Sequence, residues 1–248
     1  MRSTPNPPIG GYPPRILVTL SGGMDSAVLA AYLSQTVEVI TISIDYGQRH
    51  RKELDCAAEV ALFLGLKSSR IDLSGLGSAY PANALTGSLP VPDGHYAAES
   101  MRATVVPNRN MILLAVAAGA AISEDCGAIA YGAHAGDHAI YPDCRPAFAD
   151  AMGEALSVCH YSPIQFLRPF IGITKADIVT LGDSLGVPFA LTWSCYRGGE
   201  IHCGSCGTCV ERREAFILAE VSDPTTYDPA APSLSELLAR APSEPRGI

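Results

Sequence analysis

Two groups of residues in this 248-residue chain have the types and spacing that chemistry requires. The first is Ser21-Gly22-Gly23-Met24-Asp25-Ser26, between the apolar run Arg15 to Leu20 and the alanine- and leucine-rich run Met24 to Leu33. Adjacent glycines let a backbone turn sharply and approach a ligand closely. The N–H groups of the following helical turn then face whatever anion sits in the bend, aided by the helix dipole. The hydroxyls of Ser21 and Ser26 add donors, and Asp25 suits a magnesium ion or a bond across the loop. The same letters also fit a plain glycine turn with a serine N-cap. The second group is Cys195, Cys203, Cys206 and Cys209, spaced C-x7-C-x2-C-x2-C among glycines. Each C-x2-C presents two thiolates to one tetrahedral ion, and four thiolates close its shell, which describes a structural zinc site. Two disulfides or an iron–sulfur cluster use the same ligands. Arg197 and Arg212 are expected to soften the charge of the four thiolates.

Single residues with catalytic chemistry lie between these groups. Arg49 and His50 follow a strand-like run. Arg109 follows Pro107 at a helix start and is suited to clamp a carboxylate or phosphate. Asp137 lies just past another strand. Asp143 and Arg145 flank Cys144 and are equally able to pair with each other. Lys175 opens a helix, where a cation opposes the dipole, so an anion is expected beside it.

The elements that must position these residues follow from pattern. Strands are expected over 15–20, 37–44, 68–73 and 128–133. Helices are expected over 24–33, 48–64, 108–123, 146–159, 174–185, 208–221 and 233–240. Thr174 with Asp177 makes an N-cap with an acid at the third helical position. Alternating strands and helices predict an α/β fold, doubly wound on a mostly parallel sheet, with a small C-terminal zinc-binding lobe. The expected division is a flexible proline-rich leader over 1–14, an α/β domain over 15–190 that carries the glycine bend, and the zinc lobe with its tail over 191–248. The long segment 74–107 has little periodicity, as functional or mobile loops do.

Composition narrows the function. Lys and Arg total 17 against 25 Asp and Glu, a net charge of -8. That balance disfavours a protein that grips long nucleic acid by its phosphates. The longest apolar run, Met111 to Ile122, is too short to span a bilayer. The chain is expected to be cytoplasmic, with small molecules as its partners and no membrane.

The string at 21–26 resembles the SGGxDS pyrophosphate loop of the PP-loop ATPases, the adenine nucleotide alpha hydrolase-like group. These enzymes cleave ATP between its α and β phosphates and place AMP on a substrate oxygen. The order of motifs goes further: SGGMDS; Asp45-Tyr46-Gly47-Gln48-Arg49-His50; Val106-Pro107-Asn108-Arg109-Asn110; Asp137 with Tyr141-Pro142-Asp143-Cys144-Arg145; Thr174-Lys175; and Ser194-Cys195-Tyr196 leading into the cysteines. Over about residues 15–218 this resembles the QueC family, the 7-cyano-7-deazaguanine synthases of queuosine biosynthesis. The resemblance implies that 7-carboxy-7-deazaguanine, ammonia and two ATP give 7-cyano-7-deazaguanine. The acid is adenylated, ammonia makes the amide, and the amide oxygen is activated again and lost to leave a nitrile. It implies ATP as substrate, Mg2+, a structural Zn2+ and a homodimer.

The resemblance also assigns residues. Leu20, Ser21, Gly22, Gly23, Met24, Asp25, Ser26, Ala27, Val28, Leu29 and Ala30 bind ATP; Ser43, Ile44 and Asp45, at the carboxyl end of the second strand where doubly wound sheets open their crevice, are expected at its adenine and ribose. Asp25, Arg109, Asp137 and Lys175 are catalytic. Arg49, Asn110, Asp137, Tyr141, Asp143 and Arg145 contact the substrate, and the four cysteines hold the metal. The chain departs from the family pattern at His138-Ala139-Ile140, which lacks a hydroxyl and a glycine, and at Asn108, which replaces a glycine but tolerates positive φ. A sibling PP-loop enzyme, such as a tRNA-modifying enzyme, and a non-catalytic zinc-stabilised nucleotide-binding module are the alternatives.

Overall fold

The computed structural model describes residues 11–239. Strands β1 (Arg15–Thr19), β2 (Glu38–Asp45), β3 (Lys67–Asp72), β4 (Ala128–Ala130) and β5 (Gln165–Leu167) form one sheet in the order β3-β2-β1-β4-β5. All neighbouring pairs are parallel. The helices are α1 (Met24–Ser34), α2 (Lys52–Phe63), α3 (Arg109–Ser123), α4 (Pro146–Ser157), α5 (Lys175–Ser184), α6 (Gly207–Ala219) and the short α7 (Leu234–Leu238). This is the expected doubly wound α/β architecture. The strand order reverses between β1 and β4, so the loops leaving their carboxyl ends diverge and open a crevice.

The pleat sorts the core into two layers. Ile16 and Val18 of β1 face α1, α2, α5 and α6, meeting Val28, Val60, Ile178 and Phe216. Leu17, one residue out of phase, faces α3 and α4 with Leu114 and Met152. Full burial of Phe170 and Phe216 stabilises the fold by roughly 2–3 kcal/mol each. Because Phe216 and Ala219 of α6 belong to the same layer as α1, the chain after residue 190 shares the main core. The cysteines and their neighbours Trp193, Val91 and Ala84 make a cluster of their own, as do Tyr46, Leu85 and Val106.

Several boundaries moved for identifiable reasons. The helix expected from residue 48 starts at Lys52, because Gln48 holds the preceding chain in a loop: its Oε1 accepts from Tyr46 N at 2.8 Å, and Arg49 N donates to Leu85 O. The fourth strand ends at Ala130, and 131–133 turn toward the crevice instead. β5 was not anticipated; three residues are too few to show a period, and only pairing with β4 defines them. At α5 the Thr174 hydroxyl accepts from Asp177 N at 3.1 Å, and Asp177 Oδ2 accepts from Thr174 N, the reciprocal cap read from the sequence. Asn108 sits at φ 59, as its replacement of a glycine required. Of the expected leader, residues 1–10 lie outside the described residues, while Tyr12 packs on the core and Pro14 O accepts from Glu38 N. The end of the helix expected over 233–240 likewise lies outside them.

Candidate active site and metal centre

A cavity of about 260 Å³ opens where β1 and β4 part, reached by the loops after both strands and by the starts of α1, α3, α5 and α6. The loop Ser21–Gly23 forms one wall. Gly22 makes its sharp bend at φ +88, with a Cβ position only 1.9 Å from Glu53 O; no other residue type fits there. The Ser26 hydroxyl sits inside the bend, 3.1 Å from Ser21 N, 3.0 Å from Ser21 Oγ and 3.1 Å from Gly23 O. The loop is thus held by its own serines, and the first N–H groups of α1 stay turned to the cavity.

Asp25, on the first turn of α1, meets charges brought from two other helices. Lys175 Nζ lies 3.2 Å from Asp25 Oδ2 and 2.7 Å from Glu211 Oε2. Burial alone would pull this ammonium down, but Asp25, Glu211 and Asp137 outweigh it and hold Lys175 above its ordinary range. The anion expected beside Lys175 is therefore supplied by the protein's own carboxylates. His134, almost wholly buried, accepts from Gly136 N at Nδ1; its Nε2 stands 3.4 Å from Lys175 Nζ, 3.7 Å from Asp137, 3.7 Å from Glu211 and 4.0 Å from Asp25. Asp25 and Glu211 both pair with the one ammonium and Asp137 adds a third carboxylate, an excess of negative charge beside the Ser21–Gly23 loop. Asp25 Oδ1 is buried there with no hydrogen-bond partner.

Across the cavity Arg109 begins α3. Its guanidinium stands 5.9 Å from the Tyr46 ring and 5.8 Å from the Tyr141 ring, at the outer range of cation–π contact. Burial acts against its charge, but Tyr46, Tyr196, Tyr141 and Asp143 reverse that and keep it well above its usual value. The Tyr141 hydroxyl lies 2.8 Å from Thr104 Oγ1 and 3.3 Å from the Tyr196 hydroxyl. The site can thus present a cation inside an aromatic frame at one end and a carboxylate–ammonium cluster at the other.

Other residues named from the sequence stand elsewhere. Ile44 lines the cavity with Ile42 and Tyr46, whereas Ser43 and Asp45 do not; the pleat turns alternate residues to opposite faces. Asp45 instead binds Gly47 N and Arg51. Ala27, Val28, Leu29 and Ala30 are fully buried in the core, beyond the turn of α1 that meets the cavity. Arg49 points out to Gly87 O at 2.7 Å. Arg145 Nε donates to His138 O, not to Asp143. Asp143 Oδ2 accepts from Asn110 N at 3.1 Å, fastening the start of α3 from behind the cavity. Asn110, Asp137 and Tyr141 do line it, as do Arg109, Lys175, Leu20, Ser21, Gly23, Met24 and Ser26.

Tyr46 and Tyr196, named only within motifs, and Glu211, not named at all, also line it. Glu211 carried one signal: it falls one turn after Gly207 and so shares that residue's helix face.

The four cysteines converge. Their Sγ atoms all lie within 4.8 Å of one another, three of the residues being buried, and Cys203 Sγ lies 3.9 Å from Cys209 Sγ. Cys203 N and Cys206 N point at Cys195 Sγ and Cys203 Sγ, at 3.4 and 3.3 Å. All four are free thiols in a group able to hold a metal ion. Of the two arginines expected to soften the thiolate charge, Arg197 pairs with Asp93 and also feels the charge of Cys203 and Cys206. Arg212, fully buried, binds Phe189 O and the hydroxyls of Thr192, Ser194 and Thr225. The 74–107 segment folds onto the knuckle, with Gly94 N donating to Ser205 O at 3.0 Å, and brings Tyr96 and Met101 over the cavity.

Comparison with known proteins bears on the whole arrangement. The family model described as "Queuosine biosynthesis protein QueC" matches residues 15–220. A 7-cyano-7-deazaguanine synthase of Allorhizobium ampelinum is 54% identical over 217 residues, 86% of this chain and 92% of that relative. One from Brucella anthropi is 52% identical over 219 residues, 87% and 94% of the two chains. Among solved structures, the U34-tRNA thiolase NcsA of Methanococcus maripaludis superposes with a TM-score of 0.47 at 15% identity, covering 90% of this chain and 79% of that one. From its loop after β1 to its cysteine knuckle, this chain belongs to the QueC family of queuosine biosynthesis proteins.

Proposed function

We propose that the chain is an ATP-dependent carbon–nitrogen ligase that converts 7-carboxy-7-deazaguanine and ammonia to 7-cyano-7-deazaguanine. The observation that carries this reading is the Ser21–Ser26 bend at the topological switch point, opening onto the same cavity as Asp25, Lys175 and Arg109. A carboxylate is a poor electrophile, and adenylation turns its oxygen into a leaving group. The site must then hold two anionic reactants together, which needs preorganised cations and N–H donors. In this reading the Ser21–Gly23 loop and the start of α1 cradle the departing pyrophosphate. Ile42 and Ile44 offer an apolar wall to adenine. Arg109 holds the substrate carboxylate in line with the α-phosphate, and Lys175 neutralises charge as the α–β bond breaks. Asn110, Asp137 and Tyr141 orient the deazaguanine.

The carboxylate excess around Lys175 and the unpartnered Asp25 Oδ1 fit a magnesium ion, which Asp25 and Asp137 would hold. When bound it supplies charge neutralisation between the phosphates. The cysteine knuckle fits zinc: four ligands at a Zn–S distance of ~2.3 Å put tetrahedral sulfurs ~3.8 Å apart, and one pair here stands at 3.9 Å. An iron–sulfur cube would sit between its thiolates and spread them further. Four thiolates leave no open position, so this metal supports structure. On the same reading the enzyme is a cytoplasmic homodimer acting on small molecules. Among the described residues no helix is long and apolar enough to cross a membrane.

The test is direct. Purified protein with 7-carboxy-7-deazaguanine, ammonium, magnesium and ATP is expected to yield amide and then nitrile by mass spectrometry, with AMP and pyrophosphate. Folded protein that leaves both acid and ATP intact would refute the assignment.

A further inference from the structure

The cysteine knuckle and the ATP loop are joined by two short paths that a remote structural staple would not need. On the first, Trp193 N donates to Gly22 O at 2.8 Å, while its indole Nε1 donates to Cys195 O at 2.8 Å. The bend of the phosphate loop and the first cysteine are thus bonded to one residue. On the second, Cys206 is the N-cap of α6 and Cys209 lies in its first turn. Glu211, one turn after Gly207, reaches Lys175 Nζ at 2.7 Å, and Lys175 reaches Asp25 at 3.2 Å. Thr208 Oγ1 cross-ties the paths by donating to Ser194 O at 2.7 Å. Glu211 is only 7% exposed. A buried carboxylate costs several kcal/mol unless paired, and its closest partner is the site's ammonium. The opposing wall leaves little slack, since a Cβ on Gly136 would stand 2.6 Å from Glu211 Oε1.

We propose that Glu211 is a positioning residue of the ATP site and that the metal knuckle sets its place. Four thiolates closing round one ion lock the start of α6, so that Glu211 shares the Lys175 ammonium and keeps it from pairing wholly with Asp25. Asp25 Oδ1 stays available to its ligand, and the ammonium stays aimed at the cavity. The inference deepens the ATP reading above and rests on it. It assigns the metal an effect on catalysis through geometry, although the metal touches no reacting atom.

Glu211→Gln keeps the size of the side chain and an oxygen facing Lys175 but removes the charge. The expected result is wild-type metal content, a melting temperature within a few degrees of wild type, and a KM for the acid within about twofold. The kcat for pyrophosphate release should fall about ten- to a hundredfold, the effect of losing one charge-assisted hydrogen bond that the transition state uses. Glu211→Asp, which retains the charge, should recover part of it. Wild-type kcat in Glu211→Gln overturns the proposal.

A second measurement needs no variant. In wild-type protein loaded with Co2+ in place of zinc, Mg-ATP without the acid should change the cobalt–thiolate absorption. That change should share its midpoint with the fluorescence change of Trp193, the chain's one tryptophan. An unmoved cobalt band at saturating ATP overturns the coupling and leaves the ATP reading standing. Failure of the metal-loaded protein to bind ATP by calorimetry overturns both.

Discussion

Replacing Gly22 with alanine tests the phosphate loop where backbone geometry alone decides the outcome. The residue sits at φ +88, and an added Cβ would lie 1.9 Å from Glu53 O and 2.9 Å from its carbonyl carbon. Left-handed backbone costs an alanine about 1–2 kcal/mol. The clash adds about 1–3 kcal/mol, because the obstacle is the backbone of α2, anchored in the core by Ala57, Val60 and Ala61. Relief requires the loop or α2 to shift by roughly 1 Å, which also strains the Trp193 N to Gly22 O bond. At ~2–4 °C per kcal/mol for a chain of this size, the melting temperature should fall by roughly 5–15 °C. A displacement of that size in a positioning element costs about a hundredfold in rate. The assay is pyrophosphate release with acid, ammonium and Mg-ATP, run well below the variant's melting temperature. Gly119→Ala serves as control: this glycine lies inside α3 with nothing within 4 Å of its Cβ position, so the change should add about 0.5–1 kcal/mol of stability and leave turnover alone. A Gly22→Ala protein with wild-type melting and wild-type turnover would refute the account of the loop.

Lys175→Met leaves Asp25 and Glu211 facing each other in a largely buried site; adenylation should fall at least a hundredfold, with a stability loss of about 3–5 kcal/mol, read by pyrophosphate release and urea titration. Cys206→Ala should abolish stoichiometric zinc by elemental analysis and leave the protein poorly soluble, because apolar packing cannot replace an ion that ties Cys195 to the 203–209 run. Alkaline titration should expose the buried tyrosines. Burial, the main cause, raises Tyr46 and Tyr131 well above the usual 10.0, so above about pH 10 the unfolded chain releases protons that the native chain keeps, and stability falls as pH rises. Tyr131→Phe, which removes a buried hydroxyl without a partner, should make that fall shallower in denaturation curves recorded from pH 8 to 11 and cost nothing at pH 7.

Local features of this molecule were legible in advance because neighbours in sequence create them. The Ser21–Ser26 bend, the Thr174–Asp177 cap and the C-x2-C knuckles all depend on residues within a few positions of each other, whereas the left-handed Asn108 was read from the glycine it replaces in the family pattern. The parallel architecture followed from alternating periods. The contents of the cavity were only half visible. Which end of β2 enters the crevice was clear, but which parity was not, so Ile42 escaped notice and Ser43 and Asp45 were placed on the wrong face of the strand for lining it. Arg49, offered as a substrate contact with a solvated helix start as the alternative, is carried outward to Gly87 by a turn that Gln48 builds.

What the chain's letters determined alone is therefore a set of local devices: a glycine bend between a strand and a helix, four cysteines at metal-ligand spacing, and strands and helices in an order that winds a parallel sheet. The tertiary structure decided which of their side chains meet. Lys175, Asp25 and Glu211 are separated by up to 186 positions in sequence, yet they share one charged cluster because α1, α5 and α6 begin at the same crevice. The bond from Trp193 to Gly22 likewise exists only because the chain after α5 returns across the phosphate loop. Hydrogen-bonding and turn preferences act over a few residues and so can be read along the chain. Ion pairing and cavity lining depend on distance in space, which packing of the two core layers sets.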